Sequence, residues 1–444
     1  MAAIDKSIYE EIFIESVDRK RTVDIRSGVI SIDYYEDIFS PVVTAKIRVV
    51  NTGDSIQGRD ERGNLDGPMQ AIYNGLPLRG GERVSMKVKG NSSTNPGINF
   101  STNPKNYLYV SAVTDIFSET NRESFLLHLT SREAITNETS RVGRKYPTSF
   151  TIDASVKDIL YTYLKASKVG QIDKSKNKYG FIGNMKKPFT LLVWLASKAV
   201  PVSSKDSTAG FLFYQTKDGF QFRSIDNLIT QQYIATYEYT QINESKNERN
   251  NDFYILRYST DKNQNLIEKL RLGTYSSTRI YFNPLTFGFT EPKTGKFTMN
   301  NYSSGVKNLG KKISKENVSL PDNLSELPTR ILTQIMDLGT LDPNVSVTEN
   351  ADPSEYQSQS LMRYNSLLTQ SLSIVVPSNT NLKAGDIIMC KFPKITRQNV
   401  DSYDDQQSGL YMIKELCHHF DTDASYTSMK LVRDTFGLYG TNSK

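Results

Sequence analysis

Gly81-Glu82-Arg83-Val84-Ser85-Met86-Lys87-Val88 and Gly385-Asp386-Ile387-Ile388-Met389-Cys390-Lys391-Phe392 stand near opposite ends of the chain and carry one pattern. Each opens on a glycine and an acid, sets an apolar residue two places on, then reads x–apolar–Lys–apolar. Side chains along a strand alternate between two faces, so both stretches read as half-buried strands entered through a tight turn. A polar loop follows each, then Leu108-Tyr109-Val110 in one and Leu410-Tyr411-Met412 in the other. Both continue to a phenylalanine, Phe117 or Phe420, and a polar turn. They close on alternating strands, Leu127-His128-Leu129-Thr130-Ser131-Arg132-Glu133 and Met429-Lys430-Leu431-Val432-Arg433-Asp434. The agreement in order and spacing predicts two copies of one antiparallel β-barrel, one at each end of the chain. Gly385, Asp386, Tyr411, Phe420, Leu431 and Arg433 are the expected determinants of the C-terminal copy. Gly81, Glu82, Tyr109 and Phe117 are their N-terminal counterparts. All ten are read as fold and assembly residues, none as catalytic.

Outward from these anchors, residues 24–34 and 44–50 alternate as strands and end at the turn Asn51-Thr52-Gly53. Residues 51–82 read as a long loop and 107–129 as a hairpin. From about residue 150 the period changes. Val156, Ile159, Leu160, Tyr163 and Leu164 fall at helical spacing, with Ser155 as N-cap. A second helix is expected over 190–199, between Pro188 and Pro201, followed by a hairpin turning at Lys217-Asp218-Gly219. Strands resume at 233–241 and 253–259. Helices are expected over 330–338, capped by Thr329 and closed by Gly339, and over 360–372, after which the chain is β again. The fold class is therefore mainly β with α+β additions. It comprises a first barrel (1–131), an α+β domain (132–230), a second barrel (231–283 with 360–444) and an inserted domain (284–359).

Composition narrows the function. The 54 Lys and Arg against 48 Asp and Glu are spread along the chain, so the net +6 reads as a solvated surface rather than a nucleic-acid footprint. Two cysteines exclude a disulfide scaffold. No stretch supplies the ~20 apolar residues of a membrane span, and the N-terminus lacks a signal-peptide layout, so a soluble chain assembled in the cytoplasm is expected.

Several motifs mimic chemistry. Gly305-x-x-x-x-Gly310-Lys311 lacks the Ser or Thr that a phosphate loop needs next, where Lys312 stands. Neighbouring His418 and His419 point to opposite faces of a strand and cannot share an ion; Cys417 and His419 share a face, and Cys390 could pack nearby, without making a full zinc set. Asp60, Asn64 and Asp66 form a poor calcium loop, interrupted by Arg62 and without a closing Glu. No cofactor, metal or catalytic residue is expected.

The C-terminal run GLYMIKELCHHFDTDASYTSMKLVRDTFG (409–437) resembles the contractile-tail baseplate hub family, T-even-type central hubs and the hub part of type VI secretion spikes among them. LKAGDIIMCKFP (382–393), RYNSLLTQSLSIVVPSN (363–379), GFLFYQTKDGFQFRSIDNLI (210–229), EDIFSPVVTAKIRVVNTG (36–53) and GLPLRGGERV (75–84) carry the same resemblance. It implies a homotrimer whose six tube-like barrels form a pseudo-sixfold ring in the virion. That ring would meet the tail tube or a tube initiator on one face and a separate spike protein on the other, with baseplate wedge proteins as further neighbours and DNA passing through the lumen. The segments 51–74 and 302–357 are long, polar and outside this resemblance. Two other functions remain open on the residues: a tail-associated cell-wall-degrading enzyme, and the equivalent hub of a tailocin or secretion machine.

Overall fold

The structure, a computed structural model, describes residues 3–437 apart from 59–66, 203–209, 240–251, 263–264, 285, 290–294, 299–307, 312–326, 336–353 and 395–402. One sheet of fourteen strands dominates it. In chain order these are β1 (Ile8–Glu15), β2 (Thr22–Asp24), β3 (Val29–Asp37), β4 (Thr44–Thr52), β5 (Arg83–Lys89), β6 (Gly97–Asn99), β7 (Leu108–Ser118) and β8 (Arg122–Thr130). They continue as β9 (Ala235–Glu238), β10 (Arg257–Lys262), β11 (Gln370–Pro377), β12 (Ile387–Lys391), β13 (Gly409–Asp421) and β14 (Ser425–Arg433). The spatial order is β10–β11–β14–β13–β3–β4–β8–β7–β5–β1–β2. β12 pairs with β13 and β9, and β6 pairs with β5.

The two end regions thus share an edge. β13 pairs with β3 over seven residues, from Glu415 opposite Asp37 to Asp421 opposite Ser31. Period-two patterning orients the sheet. Ile32, Tyr34, Ala45, Ile47, Val49, Leu127 and Leu129 are buried in an N-terminal core, and Leu372, Ile374, Tyr411, Ile413, Leu416 and Leu431 in a C-terminal one. The intervening residues leave much of the opposite face polar, but Ile387, Met412 and Val432 are buried there against Leu212, Tyr214, Leu228 and Leu367.

A third core lies over residues 142–222. Helix Pro188–Lys198 turns Leu191, Leu192 and Leu195 onto the hairpin Phe211–Thr216 and Gly219–Ser224, while Val169–Ile172 adds a parallel third strand. Pro188 sits in the first turn, where its missing N–H costs no bond. The preceding helix starts at Ile152 with Thr151 as N-cap, so Ser155 lies inside it, and it widens into a π-helical turn over Ile159–Tyr163.

Two expected helices are corrected. Residues 330–335 form a strand, Arg330–Ile335, parallel to Ser276–Phe282. Ile331, Thr333 and Ile335 are β-branched, and pairing satisfies the backbone better than a short exposed helix would. Gly339 lies outside the described residues. The helix expected at 360–372 runs earlier, Ser354–Leu367; Leu372 belongs to β11, where the alternating sequence after Gln370 pairs with β14. The presumed loop at 51–82 contains the ribbon Ile56–Gln57 with Met69–Gln70 and one helical turn, Ile72–Gly75. The calcium-like loop residues Asp60, Asn64 and Asp66 lie outside the described residues, as do Gly305 and Lys312. Gly310 and Lys311 bond instead to Thr435 and Phe436. Among the described residues no helix is long and apolar enough to cross a membrane.

Candidate assembly interface

The repeated glycine–acid turn has the same backbone bonds in both copies. Gly81 N–H donates to Val110 O and Val110 N–H to Glu82 O, at 2.8 and 2.9 Å. Gly385 N–H donates to Ile413 O and Ile413 N–H to Asp386 O, both at 2.8 Å. Both glycines have positive φ, +96° and +91°. The buried acid caps the turn: Glu82 accepts from the N–H of Arg79 and of Gly80, and Asp386 from that of Lys383, each at 2.9 Å. Burial pushes the Asp386 carboxyl up to about 6.

The ladders then fix equivalent positions. β5 pairs with β7 as β12 pairs with β13, which sets Leu108 level with Tyr411 and Tyr109 with Met412. The sequence alignment of Tyr109 with Tyr411 is therefore one residue out. Leu108 is buried like Tyr411, whereas Tyr109 is only half-buried. Both long strands bulge two residues beyond that pair, at Ser111 and Lys414. β8 and β4 match β14 and β11, and β3 matches β10. The outermost strands differ, since β1 is antiparallel to β5 and β9 parallel to β12.

Phe420 is fully buried, opposite Ile32, and belongs to the N-terminal core although it comes from the C-terminal region. Phe117 does not repeat it. β7 has a second bulge at Asp115, a non-glycine residue at φ +51°, so Phe117 pairs with Ser124 as His419 pairs with Tyr426. One extra residue turns a strand's side chains over, and Phe117 is 57% exposed.

Leu431 lies in the C-terminal core opposite Ile413 and Leu372. The fully buried Arg433 stacks on the Tyr411 ring at 4.5 Å, donates to Gln370 Oε1 at 3.0 Å and to Ser408 O at 3.1 Å, and so ties β14 to β11 and to the loop before β13.

Two organising residues escaped the sequence reading. Glu36 is 1% exposed and accepts from the N–H of Ala384 and the hydroxyl of Tyr34, both at 2.9 Å, and from the N–H of Lys217. It joins both end regions to the intervening one, and burial pushes its carboxyl up to about 7. Its signal was an acid on the inward set of an alternating strand. Arg363, wholly buried, bridges Asp434 at 2.9 Å and Asp226 at 3.0 Å. Nothing local marked it, since its partners come from distant segments.

The open face carries Asp33, Lys46, Arg48, Glu415, Asp421 and Lys430, a mixture of both charges. His418 and His419 point to opposite faces. His418 is buried against Thr427 and stacked on Tyr34, and His419 lies between Asp33 and Asp421 at 2.5 and 3.3 Å. Burial opposes charge on His419, but the two carboxylates hold its pKa above the usual value. Cys417 also reaches Asp33, at 3.7 Å, while Cys390 is in the C-terminal core.

The chain is 20% identical over 286 residues to a protein described as a probable baseplate hub protein, gp334, of Vibrio phage KVP40. That alignment covers 60% of this chain and spans 62% of the relative's length. Among solved structures, a tail protein from Neisseria meningitidis MC58 superposes with a TM-score of 0.54 at 10% identity, over 95% of this chain and 96% of the other. The 43 kDa tail protein of prophage MuSo2 from Shewanella oneidensis gives 0.52 at 8% identity, over 96% and 98%. No family model matches. The resemblance to baseplate hubs thus extends to a phage relative described as a probable baseplate hub protein, and the mainly β fold is shared with these two tail proteins.

Proposed function

We propose that this chain is the structural hub of a contractile phage tail baseplate and acts through its surfaces rather than through a catalytic site. Three copies close into a ring of six equivalent β modules. The ring matches a sixfold tail tube on one face and a threefold spike on the other. The observation that carries this reading is the edge-to-edge join of two equivalent modules within one chain, with the same acid-capped turn, the same bulge and the same strand order. A closed assembly repeats one join by rotation, and this chain already contains one such step. In the same reading, the domains are 1–131, 132–230, 231–283 with 360–444, and 284–359. The open sheet face lines the bore. Its mixed charges suit a conduit, because a uniformly basic wall would hold DNA phosphates by counterion release.

Light scattering on the purified chain at increasing concentration, followed by end-on image averages, tests the proposal. A trimer with a six-lobed outline and a central opening is the expected result. A particle that stays monomeric at all concentrations, or that has no opening, overturns it.

A further inference from the structure

β13 changes neighbour along its length. Its first part pairs with β12 and its second part, from Glu415 to Asp421, with β3. Its counterpart β7 is built alike but half furnished. β7 meets β5 only at Leu108 and Tyr109, and from Ser111 to Ser118 no strand lies on that side among the described residues. β10, the counterpart of β3, is the mirror case: it pairs with β11 and, among the described residues, ends the sheet, with Arg257, Ser259, Thr260 and Asp261 exposed. One chain therefore presents the two unmatched halves of the join it makes internally.

The same comparison measures what is missing. Ile116 occupies the place of His418. The N-terminal module covers His418 completely, whereas Ile116 is 44% exposed. Exposed strand edges with apolar side chains recruit another strand.

The registers also agree. Copying the β13–β3 ladder sets Ser118 opposite Tyr258 and Thr114 opposite Lys262. Between those rungs β7 has one residue more than β13, at the Asp115 bulge, and β10 has one more than β3, at Asp261, where its pairing with β11 slips. β13 and β3 have neither insertion. The two extra residues fall at the same rung of the two free edges, so between them the ladder runs unbroken: Asp115 opposite Asp261, Ile116 opposite Thr260, Phe117 opposite Ser259. Arg48, 3.2 Å from Asp115, offsets the facing aspartates.

From this we infer that copies of the chain join by antiparallel pairing of β7 in one protomer with β10 in the next, in the register that sets Phe117 opposite Ser259. The inference rests on the hub reading and specifies its subunit contact. The contact is heterologous, and repeating it three times closes a ring in which internal and external joins alternate.

Cysteine pairs test it in the full-length chain. Directly opposed strand residues have Cα atoms within disulfide range. Phe117→Cys with Ser259→Cys should give oxidised dimers and trimers on a non-reducing gel, which either single variant should not. Phe117→Cys with Thr260→Cys, whose second cysteine faces the other side, should give far less. Light scattering on the same reduced samples separates the two claims. A trimer that fails to cross-link at the matched pair, or links equally at the mismatched one, refutes this join and leaves the hub reading standing. A chain that never trimerises removes both. Ile116→Lys, at a position already exposed in the single chain, should retain the fold by circular dichroism and raise the trimer dissociation constant by roughly tenfold or more. An unchanged constant counts against the join.

Discussion

At the scale of single residues, buried polar groups decide most. His418 is enclosed and neutral, its pKa pushed down by burial to about 3, below the ordinary 6.5. The unfolded chain takes up a proton there below about pH 6.5, while the folded chain does not until about 3. The contribution of this group is thus intact above about 6.5 and lost as pH falls, at about 1.4 kcal/mol per pH unit. Glu36 and Asp386, with raised pKa values, act in the opposite direction, so the comparison must be between variants. His418→Gln should show a shallower loss of urea stability between about pH 6 and 4 than the parent; equal slopes would show that the histidine is not the responsible group. Arg363 answers two aspartates from distant segments. Arg363→Met leaves Asp434 buried without its counter-charge, held only by hydrogen bonds from Asn308 and Leu309, and a loss of about 3–5 kcal/mol is expected in equilibrium unfolding. At Gly385 an added Cβ would meet Tyr214 Oη at 2.4 Å, on a backbone at φ +91°. Gly385→Ala should therefore cost more than Gly81→Ala, whose Cβ would find only Val17 at 3.7 Å. Melting temperatures of the two variants give the ranking, and the reverse order would contradict it.

At the scale of elements, the extra residues in β7 and β10 make a prediction that ordinary substitutions cannot. Deleting Asp115 should remove the bulge, keep Phe117 opposite Ser124 in the place of His419, and set Thr114 and the residues before it one step out of register with β10. The chain should fold but not trimerise. Deleting Asp261 alone should do the same from the other edge. Deleting both restores matched lengths, and the trimer should return. Light scattering on the three deletion variants reads this directly, and a double deletion no better than either single one would show that the edges do not meet. The same elements explain which expectations changed. The sequence at 330–335 contains a helical spacing of apolar residues, but its β-branched side chains and the open edge of Ser276–Phe282 favoured a strand. At 368–372 the pairing of β11 with β14 ended the helix early.

On the scale of the whole molecule, the two end regions are mechanically one body. Their strands share a continuous ladder, Phe420 of one enters the core of the other, and Glu36 ties both to the region between them. Phe420→Ala should cost about 3–5 kcal/mol, the range for a buried phenylalanine. Hydrogen exchange should quicken in β3 as well as in β13; loss of protection confined to β13 would show that the regions unfold independently. Such rigidity suits a part that transmits load. The sequence by itself determined the local pattern: which stretches alternate, where glycine with an acid makes a turn, and that the two ends carry related strands, down to Gly81 and Gly385. These features are legible because period and turn chemistry involve residues close together in the chain. Only the tertiary structure decided that β3 and β13 meet, that Phe117 faces outward where Phe420 faces in, and that Arg363 finds Asp434. Contacts such as Cys417 with Asp33, 384 residues apart, depend on the register of distant strand edges, and a single inserted residue reverses which face a side chain occupies while hardly altering the pattern that sequence reading detects.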